Sequence, residues 1–321
     1  MTISKKITYL IILVFLGVSA YGALKFLADA SKINHKVSYT VSKPINIEGV
    51  HDKVISGLDI TGSGKDCIKL THCYNITIKN CRIRFSKANG VNILFSKNVT
   101  ITNCYFENTA AGVYAYKSEG IKVINSQFKN MQGPFPKGQI VQFDEVHGNG
   151  NRVNFNKCQN ILGLSHPEDA INMYKTNGTP NDPVQIIGNQ IRGGGPSKIG
   201  GGIMLGDNGG SYMLAKDNIL VDPGQYGMAI AGGTNIRIIN NKIFGRQQSF
   251  TNVGIYVWNQ HKSVCALNTV SNNKIRWTDS TGKANDSWNN GNCGKVIGWE
   301  TNIWAANINA NILPVNIINQ Q

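Results

Sequence analysis

Charge is scarce in this sequence, and negative charge scarcest. Charged residues make up 16% of 321, with 18 Asp and Glu against 32 Lys and Arg. So little charge disfavours an architecture of long solvent-facing helices. Zinc-type spacing is missing, because no Cys-x-x-Cys and no Cys/His cluster occurs. The Gly-rich segment Gly193-Gly-Gly-Pro-Ser-Lys-Ile-Gly-Gly-Gly202 lacks a following Gly-Lys-Ser/Thr and a helix pattern, which excludes a phosphate loop. No low-complexity linker divides the chain. What is abundant is Gly, with 35 residues, and Asn, a composition suited to many tight turns.

The N-terminus reads as a targeting segment. Lys5 and Lys6 precede an apolar run from Ile7 to Val18, and small residues follow at Ala20, Gly22 and Ala23. That order is expected of an export signal over residues 1–30, either a cleaved signal peptide or an uncleaved N-terminal membrane anchor. The expected location is secreted, periplasmic or cell-surface. No Cys follows the apolar run before Cys67, so a lipoprotein is not expected. The formal charge of +14 is spread along the chain and favours an anionic partner. For an exported protein the expected partner is polysaccharide and not nucleic acid, and the expected state is a monomer. Seven Cys leave one odd thiol. Cys81 and Cys104 occupy equivalent places and should stack as buried thiols, while Cys265 and Cys293 flank the last long loop and could pair.

An internal repeat organises residues 31–321. One phrase is a β-branched run ending in Asn, as in Ile76-Thr-Ile-Lys-Asn-Cys-Arg-Ile83, Val99-Thr-Ile-Thr-Asn-Cys-Tyr-Phe106 and Ile236-Arg-Ile-Ile-Asn-Asn-Lys-Ile243. A second is Gly followed by an apolar-x-apolar strand, as in Gly90-Val-Asn-Ile93, Gly112-Val-Tyr-Ala115 and Gly202-Ile-Met-Leu205. Units with two or three short strands bury nothing alone and must stack. Leucine-rich repeats need a Leu spacing that is absent, and propeller blades are longer. The fold class expected is all-β, a single-stranded right-handed parallel β-helix, with right-handed crossovers. Val113, Val141, Ile171 and Ile203 should share one interior column, and the recurring Asn or Cys should stack inside the bend.

These phrases resemble the repeats of the pectin-lyase-like superfamily, which includes lyases, polygalacturonases, epimerases and non-enzymatic surface proteins. Polygalacturonases carry Asp-Asp-Cys-Ile, Gly-His-Gly-x-Ser-x-Gly and Arg-Ile-Lys strands. Here Glu168-Asp-Ala-Ile171 resembles the first and Gly200-Gly-Gly-Ile-Met-Leu-Gly206 the second, and Gly227-Met-Ala-Ile230 stands where the third would fall. Gly201 replaces the His and Ala229 the Arg. The resemblance therefore implies the scaffold more than the chemistry.

Alternation defines outward columns on the Gly-apolar strands. The first reads Lys69, Asn92, Tyr114, Gln142, Asn172, Met204, Ala229, Tyr256. The second reads Thr71, Leu94, Tyr116, Asp144, Tyr174, Gly206, Ala231, Trp258, and the third His72, Phe95, Lys117, Glu145, Lys175, Asp207, Gly232, Asn259. Aromatic rings can stack on sugar faces and amides can bond hydroxyls. Asp144, Asp169, Lys175, Asp207 and His166 are the candidate catalytic residues. Tyr114, Tyr116, Asn172, Tyr174, Arg192, Lys198, Tyr256 and Trp258 are the candidate substrate contacts. Asp144 and Asp207, two rungs apart, would suit an inverting hydrolase, whose carboxylates stand roughly 6.5–9.5 Å apart. Lys175, Tyr174 or His166 would suit a lyase or epimerase base, with Arg192 or Lys198 neutralising a uronate. Ca²⁺ is compatible with clustered carboxylates, though no calcium-loop motif is present. The rival expectation is a non-catalytic glycan-binding or surface β-helix.

Overall fold

The computed structural model describes residues 38–318. The proposed export segment, residues 1–30, lies outside the described residues. From Thr40 onward the chain winds through 27 strands, and neighbouring turns pair in parallel throughout. Each complete rung contributes strands to three faces. The front face holds the Gly-apolar strands, such as Ile68–Thr71, Val141–Asp144 and Val253–Val257. The flank holds the β-branched runs, such as Tyr74–Lys79 and Lys97–Thr102. The back face follows the Asn bend, as in Gln127–Lys129 and Lys242–Gly245.

Register follows the apolar alternation. Ile68, Val91, Val113, Val141, Ile171, Ile203, Met228 and Ile255 pair in succession, and all have zero exposure. A side chain of this size contributes about 1.5–3 kcal/mol on burial, so an unbroken column repays the ordering of short strands that no single rung could hold. Gly112 opens its front strand because a Cβ there would meet the Ile140 carbonyl oxygen at 2.4 Å and the Phe128 ring at 2.6 Å. Phe128 in turn stacks on Phe106 with centroids 4.5 Å apart.

The bend between flank and back is a polar ladder in an otherwise apolar interior. Asn189 Oδ1 accepts the Asn156 backbone N–H at 3.0 Å, and Asn218 Oδ1 accepts that of Asn189 at 2.9 Å. Asn241, Asn273 and Asn302 continue the pattern. Each satisfies backbone groups that the turn would leave orphaned. Toward the N-terminus, Cys81 and Cys104 occupy this column as buried free thiols. Asn80, Asn103, Asn240 and Asn272, one residue earlier, have φ of 51°, 52°, 57° and 56°, the left-handed turn geometry that Asn tolerates. Cys265 and Cys293 form a disulfide.

Candidate functional site

The first outward column of the front face is as expected, and Trp288 extends it beyond Tyr256. The second departs from expectation. Thr71, Leu94, Tyr116, Asp144 and Tyr174 align, but the next member is Asp207 and not Gly206. A bulge at Gly206, with φ of 66°, inserts the extra residue. A Cβ there would lie 2.1 Å from the Gly232 carbonyl oxygen, so only Gly fits. Asp207 thereby leaves the third column. Of the charges expected in the third column, Lys117, Glu145, Lys175 and Asp207, which alternate in sign along the sequence, only Lys117 and Glu145 pair with each other, at 3.6 Å, both partly exposed. Lys175 instead lies over the Tyr174 ring, 5.2 Å from its centroid.

The bulge assembles a carboxylate centre. Asn172 Nδ2 donates to Asp169 Oδ2 at 2.8 Å and to Asp207 Oδ2 at 3.0 Å. One amide thus holds both carboxylates, with oxygens less than about 6 Å apart. That is nearer the roughly 5–5.5 Å of a retaining pair than the wider inverting spacing expected for Asp144 and Asp207. The other Asp169 oxygen accepts the Gly201 N–H at 3.0 Å and the Tyr226 hydroxyl. His261 Nε2 lies 3.4 Å from Asp207.

Gly201 explains how Tyr226 arrives. Asp169, Gly201 and Tyr226 occupy successive rungs at the start of the front strands, as the Ile171–Ile203–Met228 register dictates. A Cβ on Gly201 would meet the Tyr226 carbonyl oxygen at 2.5 Å and its ring at 2.7 Å. The missing side chain lets the phenol lie across that rung and reach Asp169. Where the resemblance called for a His, the chain carries a gap filled by a Tyr two positions down the sequence phrase from Gly224. Ala229, in place of the Arg, is fully buried beneath Met204, Tyr226 and Tyr256.

Burial sets the proton affinities here. Asp169 is 4% exposed, and desolvation pushes its pKa up to about 6 against the opposing hydrogen bonds from Tyr226, Asn172 and Gly201. Glu168, which accepts the Ser197 hydroxyl at 2.9 Å, is pushed up to about 7, mainly by burial. Burial likewise raises Asp144, which accepts the Tyr114 hydroxyl at 2.6 Å.

Cavities line the same face. One of about 310 Å³ lies over Tyr114, Gln142 and Asp144, walled by Pro136 and Lys137. Another of about 250 Å³ is bounded by Met204, Tyr256, Trp258, Gln260 and Trp288. Trp258 and Trp288 are 38% and 44% exposed and meet edge to face at 5.6 Å. Tyr174 accepts a hydrogen bond from Asn208 at 2.9 Å. The amide oxygens of Asn92, Gln139 and Asn172 are buried with no donor among the described residues.

Three expected site residues stand apart. His166 is exposed on the loop before the Asp169 strand and reaches its neighbours through its backbone, which donates to the Met131 carbonyl at 3.1 Å. Lys198 is exposed on the Gly-rich loop, with its carbonyl taken by Gln225. Arg192 lies on the back face, paired in register with Gln159 and Val221. Its guanidinium donates to the carbonyls of Ala310 (2.5 Å) and Leu313 (2.8 Å), so it clamps the C-terminal segment to the back face. Conversely, Tyr226, His261, Gln260 and Trp288 belong to the site without having been expected. No group of three or more His, Cys, Asp and Glu able to hold a metal ion occurs among the described residues.

Residues 43–191 match the family model for a right handed beta helix region. No curated protein matches the chain. Among solved structures, the catalytic domain of a GH87 alpha-1,3-glucanase variant in complex with tetrasaccharides is similar, with a TM-score of 0.53 and 16% identity. The similarity covers 82% of this chain and 57% of that one. At that identity the likeness speaks for the fold alone. Matched repeats, parallel register and shared architecture agree, and the chain is a right-handed parallel β-helix protein.

Proposed function

We propose that the front face binds an extended polysaccharide along the solenoid axis and hydrolyses it at the Asp169–Asp207 pair. The observation that carries this reading is one amide, Asn172, bridging two carboxylates between groove cavities walled by aromatic rings. In the proposed reaction Asp207 attacks the anomeric carbon and forms a glycosyl ester, while Asp169, which burial allows to hold its proton up to about pH 6, gives that proton to the departing glycosidic oxygen. Water, deprotonated by Asp169, then breaks the ester and restores both carboxyl groups. The unpartnered amide oxygens suit a ligand rich in hydroxyl donors. The tetrasaccharide-bound glucanase domain supports a glycan ligand for this architecture by analogy. The net charge of +14 favours an acidic glycan. Hydrolysis is preferred to elimination because Lys175 and His166 are not joined to the carboxylate centre, and the hydroxyl of Tyr174, the third candidate base, is engaged by Asn208. The protein is read as exported and monomeric. A disulfide suits an oxidising compartment.

The test is a panel of uronic-acid and neutral polysaccharides, with new reducing ends and unsaturated-product absorbance followed together. Reducing ends without absorbance, lost in Asp207→Asn, are expected. Absorbance would mark a lyase instead. Binding with neither signal would establish the non-catalytic β-helix.

A further inference from the structure

The groove does not end at the catalytic pair. Toward the N-terminus the first outward column continues through Gln142, Tyr114 and Asn92 to Lys69. There a concavity of about 610 Å³ is lined by Lys43, Lys65 and Lys69, together with Asn46 and Asp66. Its one carboxylate is engaged in the scaffold: Asp66 accepts the Asn89 backbone N–H at 2.9 Å and Asn92 Nδ2 at 2.7 Å. None of the three ammonium groups has an ion-pair partner among the described residues, although other lysines on the solenoid, such as Lys97 and Lys129, do. The neighbouring Asn92 amide oxygen is buried without a donor. The result is a pocket with surplus positive charge, on the same strip as the carboxylate centre.

We infer that Lys43, Lys65 and Lys69 form a distal subsite for an anionic substituent, carboxylate or sulfate, of the glycan. The inference rests on the proposed glycan-binding reading of the front face and specifies where that face recognises charge. Lys69 and Asn172 are four rungs apart in register, roughly 19 Å at about 4.8 Å per rung. Charge recognition is thus separated from bond cleavage by several sugar units, and the protein selects long chains that carry anionic groups at a distance from the scissile bond. An opposite gradient sits at the other end, where Tyr256, Trp258 and Trp288 offer uncharged ring faces.

The experiment compares the full chain with a Lys65→Ala/Lys69→Ala variant, using calorimetric binding to a polyuronate, a sulfated galactan and a neutral glucan. Both lysines are on the surface, and an unchanged thermal transition confirms folding. The expected result is roughly tenfold or greater loss of affinity for at least one polyanion, with a shallower salt dependence and no change toward the glucan. Cleavage of an anionic oligosaccharide too short to span the two sites should be unchanged in the variant. Equal affinity of variant and parent for both polyanions overturns the subsite. An equal loss of cleavage on the short oligosaccharide overturns its distal placement. If the parent binds only neutral glucan, the lysine subsite is wrong while the glycan reading stands. If it binds none of the three, both fail.

Discussion

Asp169 and Glu168 are adjacent acids whose charged forms the fold disfavours, and that gives the site a pH signature. Both have folded pKa values above their ordinary ones of 3.8 and 4.5, at about 6 and about 7. Below about pH 4 the protonated acids add their full contribution to stability. As pH rises the folded state holds protons that the unfolded chain has released, so stability falls with pH until Glu168 ionises near 7. The thermal transition should therefore drop between about pH 4 and 7, and Glu168→Gln should flatten the upper part of that drop. A transition that rises across this range would show that burial does not dominate. Turnover should fall as pH rises through about 6, where Asp169 loses the proton it donates. Asp169→Asn, which keeps a similar shape without the acid, should cost about 10²–10⁴ in kcat while glycan binding persists. Retained activity would move the proton donor elsewhere, with Asp144 beneath Tyr114 the next carboxyl to substitute.

At the scale of the strand and turn, the sequence disclosed what depends on regular alternation. The Val113–Val141–Ile171–Ile203 column and the Asn ladder were legible because period-two burial and a repeated bend residue leave a mark at every turn. The bulge at Gly206 was not legible, since one inserted residue changes the column of Asp207 without changing the composition of its strand. Tyr226 was missed because its reach to Asp169 depends on the absence of a side chain at Gly201, one rung away and 25 residues off in the register that joins Ile203 to Met228. Arg192 was misplaced for a related reason: its partners, Ala310 and Leu313, lie 118 and 121 residues onward. The ladder itself is testable. Asn218→Ala would strip the acceptor from the Asn189 N–H and remove the amide that bonds the Ile186 carbonyl. With these groups buried, an expected loss of about 1–3 kcal/mol should appear in denaturant unfolding. A change below about 0.5 kcal/mol, the range of an ordinary surface substitution, would mean the ladder is not holding the bend.

Across the whole molecule, a solenoid transmits stability from neighbour to neighbour, so a constraint near one end acts there first. The Cys265–Cys293 disulfide closes a 28-residue separation around the last rungs, a loop whose cross-link contributes about 3.5 kcal/mol by limiting the unfolded chain. Trp288 lies inside that loop and pairs in register with Tyr256, so the bridge secures one wall of the aromatic cavity. The five remaining thiols are buried, whereas Cys265 is only partly so, which leaves the bridge as the group a mild reductant meets. Reduction should therefore loosen the rungs around Tyr256 and Trp288 while those around Val91 and Val113 stay intact. Hydrogen exchange measured with and without reductant should show protection lost along 253–289 and retained along 68–116. Affinity for a neutral glucan, which depends on the ring faces, should weaken more than affinity for a polyanion held at Lys65 and Lys69. If protection falls uniformly over both segments, the solenoid unfolds as one cooperative unit and the disulfide stabilises all of it. The aromatic end would then have no independent tether, and reduction would weaken both ligands alike.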